Sequence, residues 1–142
     1  MTVAYLDTSA LAKLYVQETG RDRVEALIGA CDAVATSVIA YPEACAVFAR
    51  RRASGEITDE EHSQMVADFR QDWAEVNEIN LTPEVYRVAG ELVVAHPRLR
   101  AMDAIHLASA LEARTFHRVR FLTFDHDLQA AASAMLSAGE MA

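Results

Sequence analysis

The chain has a single lysine, two cysteines and no long apolar run, and each shortage removes a class of function. Cys31 and Cys45 lie fourteen residues apart among small or apolar neighbours. That spacing fits neither a metal-ligand pair nor a redox pair, so both read as reduced, packed thiols. The longest stretch without a charged side chain is the twelve residues Leu128–Gly139, well short of the roughly 20 apolar residues that span a bilayer. The opening residues, MTVAYLDTSA, place Asp7 inside the first apolar run and carry no basic segment. A secretory signal is therefore not expected, and a cytoplasmic location is. Repeats, linkers and low-complexity tracts are also missing.

What is present suits one globular unit. A length of 142 residues matches an ordinary domain, so a single domain over residues 1–142 is expected. A 52% hydrophobic content with 24% charged residues supplies a real core and excludes disorder. The net charge of −8 argues at first sight against a polyanionic partner. Its distribution weakens that argument, because residues 56–78 hold eight acids and one base, Arg70, leaving the remainder at only −1. Twelve of the thirteen bases are Arg, Lys13 being the exception. Arg favours bidentate pairing with phosphate or carboxylate, although genome composition accounts for the bias equally well.

Hydrophobic periodicity divides the chain into alternating strands and helices. Thr2–Leu6 reads as a strand, followed by a helix capped by Thr8 or Ser9 with Leu11, Leu14 and Tyr15 on one face. A helix over Asp22–Ile28 and a strand over Ala33–Thr36 come next. Ser37 then caps a helix running to Arg52, with Pro42 either resuming or kinking it. Thr58 and Glu61 form a capping box, ahead of a Met65, Phe69 and Trp73 stripe that reads as core. Val76–Leu81 alternates like a strand, Thr82 and Pro83 open a helix through Ala95, and Ala101–Arg114 is the next helix. Val119–Thr123 is the last strand and Asp127–Ser137 the closing helix, with Asp127 as its expected cap. Such alternation implies a parallel sheet sandwiched between helices.

In a sheet of this kind, ligands bind outside the carboxyl ends of the strands. Asp7 and Asp125 follow the first and last strands. Glu43 falls about two turns into the helix after the second strand, and Asp103 in the first turn of the helix after Pro97; both can reach the same edge. One such carboxylate is ordinarily a helix cap. Four converging ones repel and raise each other's pKa unless a cation offsets them. Hard divalent cations take oxygen ligands, which makes Mg²⁺ or Mn²⁺ the natural occupant.

The segments YLDTSALAKLY, IAYPEACAVFAR, MDAIHLASAL and FLTFDHDL, in this order, resemble the PIN-domain ribonucleases, and most closely the VapC-type toxins of bacterial toxin/antitoxin pairs. The resemblance spans essentially the whole chain. It implies an α/β, PIN-like three-layer sandwich with a short, mostly parallel sheet flanked by helices. It also implies that Asp7, Glu43, Asp103 and Asp125 form an acidic quartet, with a hydroxyl from Thr8 or Thr123 beside it. A homodimer and a cognate antitoxin that links the complex to operator DNA are further implications, with no membrane involved.

The expected activity is divalent-metal-dependent endoribonuclease cleavage, in which a bound cation activates water and neutralises charge on the phosphodiester. Asp7, Asp103 and Asp125 are then the principal ligands, while Glu43 either ligates or orients the attacking water. Lys13, Arg50, Arg51, Arg52, Arg98, Arg100, Arg118 and Arg120 are available to the RNA backbone, although each alone reads as solvated surface. His106, one turn beyond Asp103, reads as satisfied by local packing, with substrate or ligand support as its other reading. Two alternatives stand beside the nuclease. Asp7 is a conceivable phosphoryl acceptor in a metal-dependent phosphatase or phosphotransferase, although Ser9 occupies the position where a second acid would support that. A non-enzymatic metal-binding interaction module is the other, since fold alone does not specify chemistry.

Overall fold

The computed structural model describes residues 1–142 and realises that alternation as a four-stranded sheet covered on both faces. The strands are β1 (Thr2–Leu6), β2 (Ala33–Ser37), β3 (Asn77–Ile79) and β4 (Arg118–Leu122). Their order is β3-β2-β1-β4, and every neighbouring pair is parallel. The helices are α1 (Thr8–Ala12), α2 (Arg21–Gly29), α3 (Ala40–Ala53), α4 (Asp59–Trp73), α5 (Pro83–Ala95), α6 (Ala101–Arg114) and α7 (His126–Met135). No helix is long and apolar enough to cross a membrane.

A central parallel strand is covered on both faces, so it must be apolar on both. β1 meets this demand: Val3, Ala4, Tyr5 and Leu6 are fully buried. Alternation sends Val3 and Tyr5 into a core shared with α5, α6 and α7. Ala4 and Leu6 enter a second core shared with α1 to α4. The first core is built largely of small residues on α6, where Ala104, Ala108 and Ala110 let the helix approach the sheet closely. The second is aromatic. Tyr15, Tyr41, Phe48, Phe69 and Trp73 form a chain of ring pairs with centroids 5.2–5.7 Å apart. Each such pair contributes about 0.5–1.5 kcal/mol beyond its buried area. This cluster fastens the acidic helix α4 to α3 by its apolar stripe, and the Thr58–Glu61 capping box starts that helix.

The departures from expectation have simple causes. Asp7, not Thr8 or Ser9, caps α1, and Asp125, not Asp127, caps α7. An aspartate oxygen at the last extended residue reaches the amide three residues on, so each cap lies one or two positions earlier than expected. Leu14 and Tyr15 fall beyond the short α1 yet still pack into the second core. The third helix begins at Ala40, with Ile39 at its cap, while the Ser37 hydroxyl accepts the Ile39 amide at 3.3 Å. Pro42 therefore occupies the first turn, where its missing N–H has no intrahelical partner to lose. Glu43 moves from two turns in to the first turn. Cys31 and Cys45 are free, half-buried thiols against the second core.

The chain steps from β1 to β2 to β3 in one direction, then returns to place β4 on the other side of β1. Strand order thus reverses between β1 and β4. The loops leaving these two strands must diverge, and a crevice opens at their carboxyl ends.

Candidate active site

Asp7 stands at the mouth of this crevice. Its backbone is still extended (φ −74°, ψ 177°), and α1 begins at the next residue. The side chain folds back: Oδ1 accepts the Ala10 amide at 3.0 Å and the Ser9 hydroxyl at 2.7 Å, and Oδ2 accepts the Thr123 hydroxyl at 2.6 Å. Asp7 is only 2% exposed. Burial pushes its carboxyl above the usual range, and the hydrogen bonds from Thr123, Ser9 and Ala10 offset this only in part.

The same hydroxyls stitch the two turns together. Thr123 Oγ1 accepts the Asp125 amide at 3.1 Å, and Ser9 Oγ accepts the Phe124 amide at 3.0 Å. Asp125 is fixed in turn by capping α7, its Oδ1 accepting the Leu128 amide at 2.8 Å. Capping and membership of the acid cluster are therefore not alternatives here. Asp7 and Asp125 do both, because a carboxylate has more acceptor sites than a single cap consumes.

Glu43 projects from the first turn of α3, where the helix N-terminus favours a negative charge. Its Oε1 accepts the Thr8 hydroxyl at 2.7 Å and lies 2.9 Å from His106 Nε2. Burial pushes this carboxyl up, but the hydrogen bonds from His106 and Thr8 outweigh it and hold Glu43 below the usual range. His106 is not merely packed, as the reading from sequence favoured. It is 1% exposed, and its Nδ1 faces the Tyr5 hydroxyl at 3.1 Å.

Asp103 sits in the first turn of α6 and differs from the others. No hydrogen bond steadies its half-buried carboxyl, which is pushed up to about 6 by burial first, then by the charges of Asp125, Asp7 and Glu43. All four predicted acids line one cleft of about 530 Å³, together with Thr8, Ser9, His106, Lys13 and Arg100. No three of its acids and histidine close into a ready-made ligand cage. The donor set nevertheless fits a hard divalent cation: it is all oxygen, it is anionic, and Asp103 already feels the charges of the other three.

The cations are less concentrated than the sequence suggested. Lys13 and Arg100 line the cleft, although Lys13 is bound to Glu18 at 3.4 Å and lies 4.4 Å over the Phe124 ring. Arg51 is engaged by Glu18 and Glu56, and Arg98 lies 3.6 Å from Asp127. Arg118 and Arg120 sit at the opposite edge of the sheet, around a pocket at the start of β4, because a parallel strand separates its two ends. Arg50 and Arg52 are exposed near the end of α3.

Sequence reasoning singled out Thr8 and Thr123 as candidate hydroxyls, and both contact the acids. It missed the contacts of Ser9 and Tyr5. Ser9 lies two residues past Asp7, within reach of the same carboxylate. Tyr5 was legible as a hydroxyl on an otherwise apolar central strand.

Comparison with known proteins identifies the family and the fold. The PIN domain family model matches residues 4–134. Ribonucleases VapC45 and VapC49 of Mycobacterium tuberculosis are each 40% identical over 111 residues, covering 78% of this chain and 76% of theirs. Among solved structures, M. tuberculosis VapC20, described as a Sarcin-Ricin loop cleaving toxin, superposes with a TM-score of 0.65 at 22% identity, over 90% of this chain and 94% of that one. VapBC2 from Rickettsia felis, bound to a DNA fragment from its promoter, gives 0.64 at 12% identity, over 91% and 92%. At these identities the structural likeness speaks for the fold.

Proposed function

The chain belongs to the PIN-domain family, with VapC ribonucleases among its relatives, and from that premise we propose that it is a divalent-metal-dependent endoribonuclease acting as the toxin of a toxin/antitoxin pair. The observation that carries this reading is the single cleft lined by Asp7, Glu43, Asp103 and Asp125, in which burial first, and then the charges of Asp125, Asp7 and Glu43, push the Asp103 carboxyl up. Carboxylates from four separate elements act on one another across one cleft, an arrangement that a cation stabilises and that serves no evident purpose in packing.

Asp7, Asp103 and Asp125 are the proposed ligands of Mg²⁺ or Mn²⁺. Such an ion, when bound, supplies an activated water and neutralises phosphodiester charge. The protein's own contribution is to hold the donors. Ser9 and Thr123 fix both oxygens of Asp7, Leu128 fixes one oxygen of Asp125, and Asp103 stays free to adjust. Glu43 keeps one oxygen without a hydrogen bond, suited to ligation or to orienting the attacking water. Arg100 and Lys13 flank the cleft where a phosphate backbone would enter. The phosphoryl-acceptor reading is the weaker one, since Ser9, bonded to Asp7 at 2.7 Å, stands where a second acid would support it.

A homodimer, a cognate antitoxin that attaches the complex to operator DNA, and a cytoplasmic location complete the proposal. They draw on the VapBC assembly among its structural neighbours and on the free Cys31 and Cys45. The test is incubation of the purified protein with labelled single-stranded RNA and, separately, with p-nitrophenyl phosphate, each with Mn²⁺ or Mg²⁺. Shortened RNA with no monoester turnover is the expected result. Phosphate release from the monoester alone favours a phosphatase, and ion binding with intact RNA favours a binding module.

A further inference from the structure

A row of polar groups runs from the interior to Glu43. Tyr5 is fully buried and His106 is 1% exposed. The Tyr5 ring is stacked on Phe121, with centroids 5.6 Å apart and planes 14° apart, and meets His106 edge-on at 6.1 Å. The Tyr5 hydroxyl lies 3.1 Å from His106 Nδ1. On the far side of the imidazole, Nε2 lies 2.9 Å from Glu43 Oε1 and 3.0 Å from Thr8 Oγ1.

The donors and acceptors in this row can be assigned by elimination. Thr8 spends its only proton on Glu43 Oε1 at 2.7 Å, so its oxygen can only accept from Nε2. Glu43 Oε1 already accepts the Thr8 hydroxyl, and as a carboxylate oxygen it accepts from Nε2 as well. Both neighbours of Nε2 are thus acceptors, and Nε2 carries a proton whatever the charge of the ring. In the neutral ring Nδ1 is bare and receives the Tyr5 proton. Oε1 of Glu43 then accepts from two donors, while no hydrogen bond restrains Oε2.

We propose that Tyr5 and His106 are positioning residues that act through Glu43, anchoring its Oε1 to the core so that Oε2 is presented to the cleft in one orientation. The proposal deepens the nuclease reading and rests on it for its kinetic consequence. The geometry of the relay stands independently of that reading. Ser9 and Thr123 orient Asp7 from the strand ends; Tyr5 and His106 do the same for Glu43 from beneath. Groups that orient a ligand or a catalytic carboxylate typically contribute about 10- to 100-fold when removed.

Two measurements test this. The first is the ¹⁵N spectrum of the histidines in protein handled in chelator. In the pH range where the ring is neutral, His106 should show a protonated, pyrrole-type Nε2 and a pyridine-type Nδ1, and Tyr5→Phe should shift Nδ1 while leaving the fold intact. A pyridine-type Nε2, or an Nδ1 indifferent to Tyr5→Phe, overturns the relay whether or not the protein cuts RNA. The second is steady-state cleavage of RNA in Mn²⁺. Tyr5→Phe and His106→Leu should each lower kcat by about 10- to 100-fold with little change in KM. His106→Gln, whose amide can still donate to Glu43, should recover part of the loss. Unchanged kcat in Tyr5→Phe, or His106→Gln no better than His106→Leu, overturns the positioning role. Wild-type protein that leaves RNA intact removes the nuclease reading instead, and the spectrum then decides the relay alone.

Discussion

The two walls of the cleft are built in opposite ways. On one side Asp7 is held by both oxygens and Glu43 by two hydrogen bonds to Oε1, from a hydroxyl and from His106. On the other side Asp103 is steadied by no hydrogen bond, and Asp125 has one oxygen on a helix amide. Restraint fixes where a carboxylate points, whereas its absence leaves the charge to be satisfied by something else. The difference assigns distinct work to the walls: the first supplies a preformed frame, and the second a charge that lacks a partner until a cation arrives.

Substitutions should separate the walls. The largest effect is on cleavage: Asp103→Asn should reduce metal-dependent RNA hydrolysis by roughly 1000-fold or more, since a catalytic ion contributes several kcal/mol to the transition state. Activity within a few-fold of wild type would take Asp103 out of the site. The next effect is a contrast in stability without metal. Asp7→Asn should cost about 1–3 kcal/mol, because the amide leaves buried donors at Ser9, Thr123 and Ala10 without a full set of acceptors. Asp103→Asn should be neutral or stabilising, because it removes a charge that three others oppose. Thermal melts in chelator would read both, and equal losses would erase the distinction between the walls.

A smaller effect is expected with pH. Asp103 has a raised folded-state pKa, about 6 against 3.8. The folded state therefore binds more protons than the unfolded state between these values, and stability falls as pH rises from about 4 to 6. Discounted for solvent screening at a half-buried group, the fall is on the order of 1 kcal/mol. Chemical denaturation in chelator should show this slope in wild type and a weaker one in Asp103→Asn. Identical slopes would mean that the cluster does not interact as described. The smallest effect concerns the rim: Arg100→Gln should lower the log–log salt slope of RNA binding by about 0.7, whereas Arg118→Gln, at the opposite edge, should leave it unchanged.

The parts of the fold that could be read in the sequence were those with a one-dimensional signal. Helix α6 begins and ends where expected, as does α5, because Pro83, Thr82 and the apolar period mark them directly. Asp7, Asp103 and Asp125 were legible because each follows a strand or opens a helix, positions that a parallel sheet gathers at one edge, whereas Glu43, expected two turns into its helix, rested more on the family resemblance. What eluded sequence reasoning was contact between distant segments. The Thr123–Asp7 bond spans 116 residues and the Tyr5–His106 pair 101, and no local pattern encodes either. The arginines were misjudged for a related reason. Arg118 and Arg120 are seven and five residues from Asp125 in sequence, yet Arg118 opens β4 and both line a pocket away from the acids.

Everything proposed for the cleft requires that these carboxylates capture a divalent cation as a group. Calorimetric titration of Mn²⁺ into wild-type protein and into Asp103→Asn, at pH 7.5, measures this without reference to any substrate. Saturable binding to the wild type is expected, and its loss, or at least a tenfold weakening, in Asp103→Asn. Equal binding by both proteins, or none by the wild type, would contradict it.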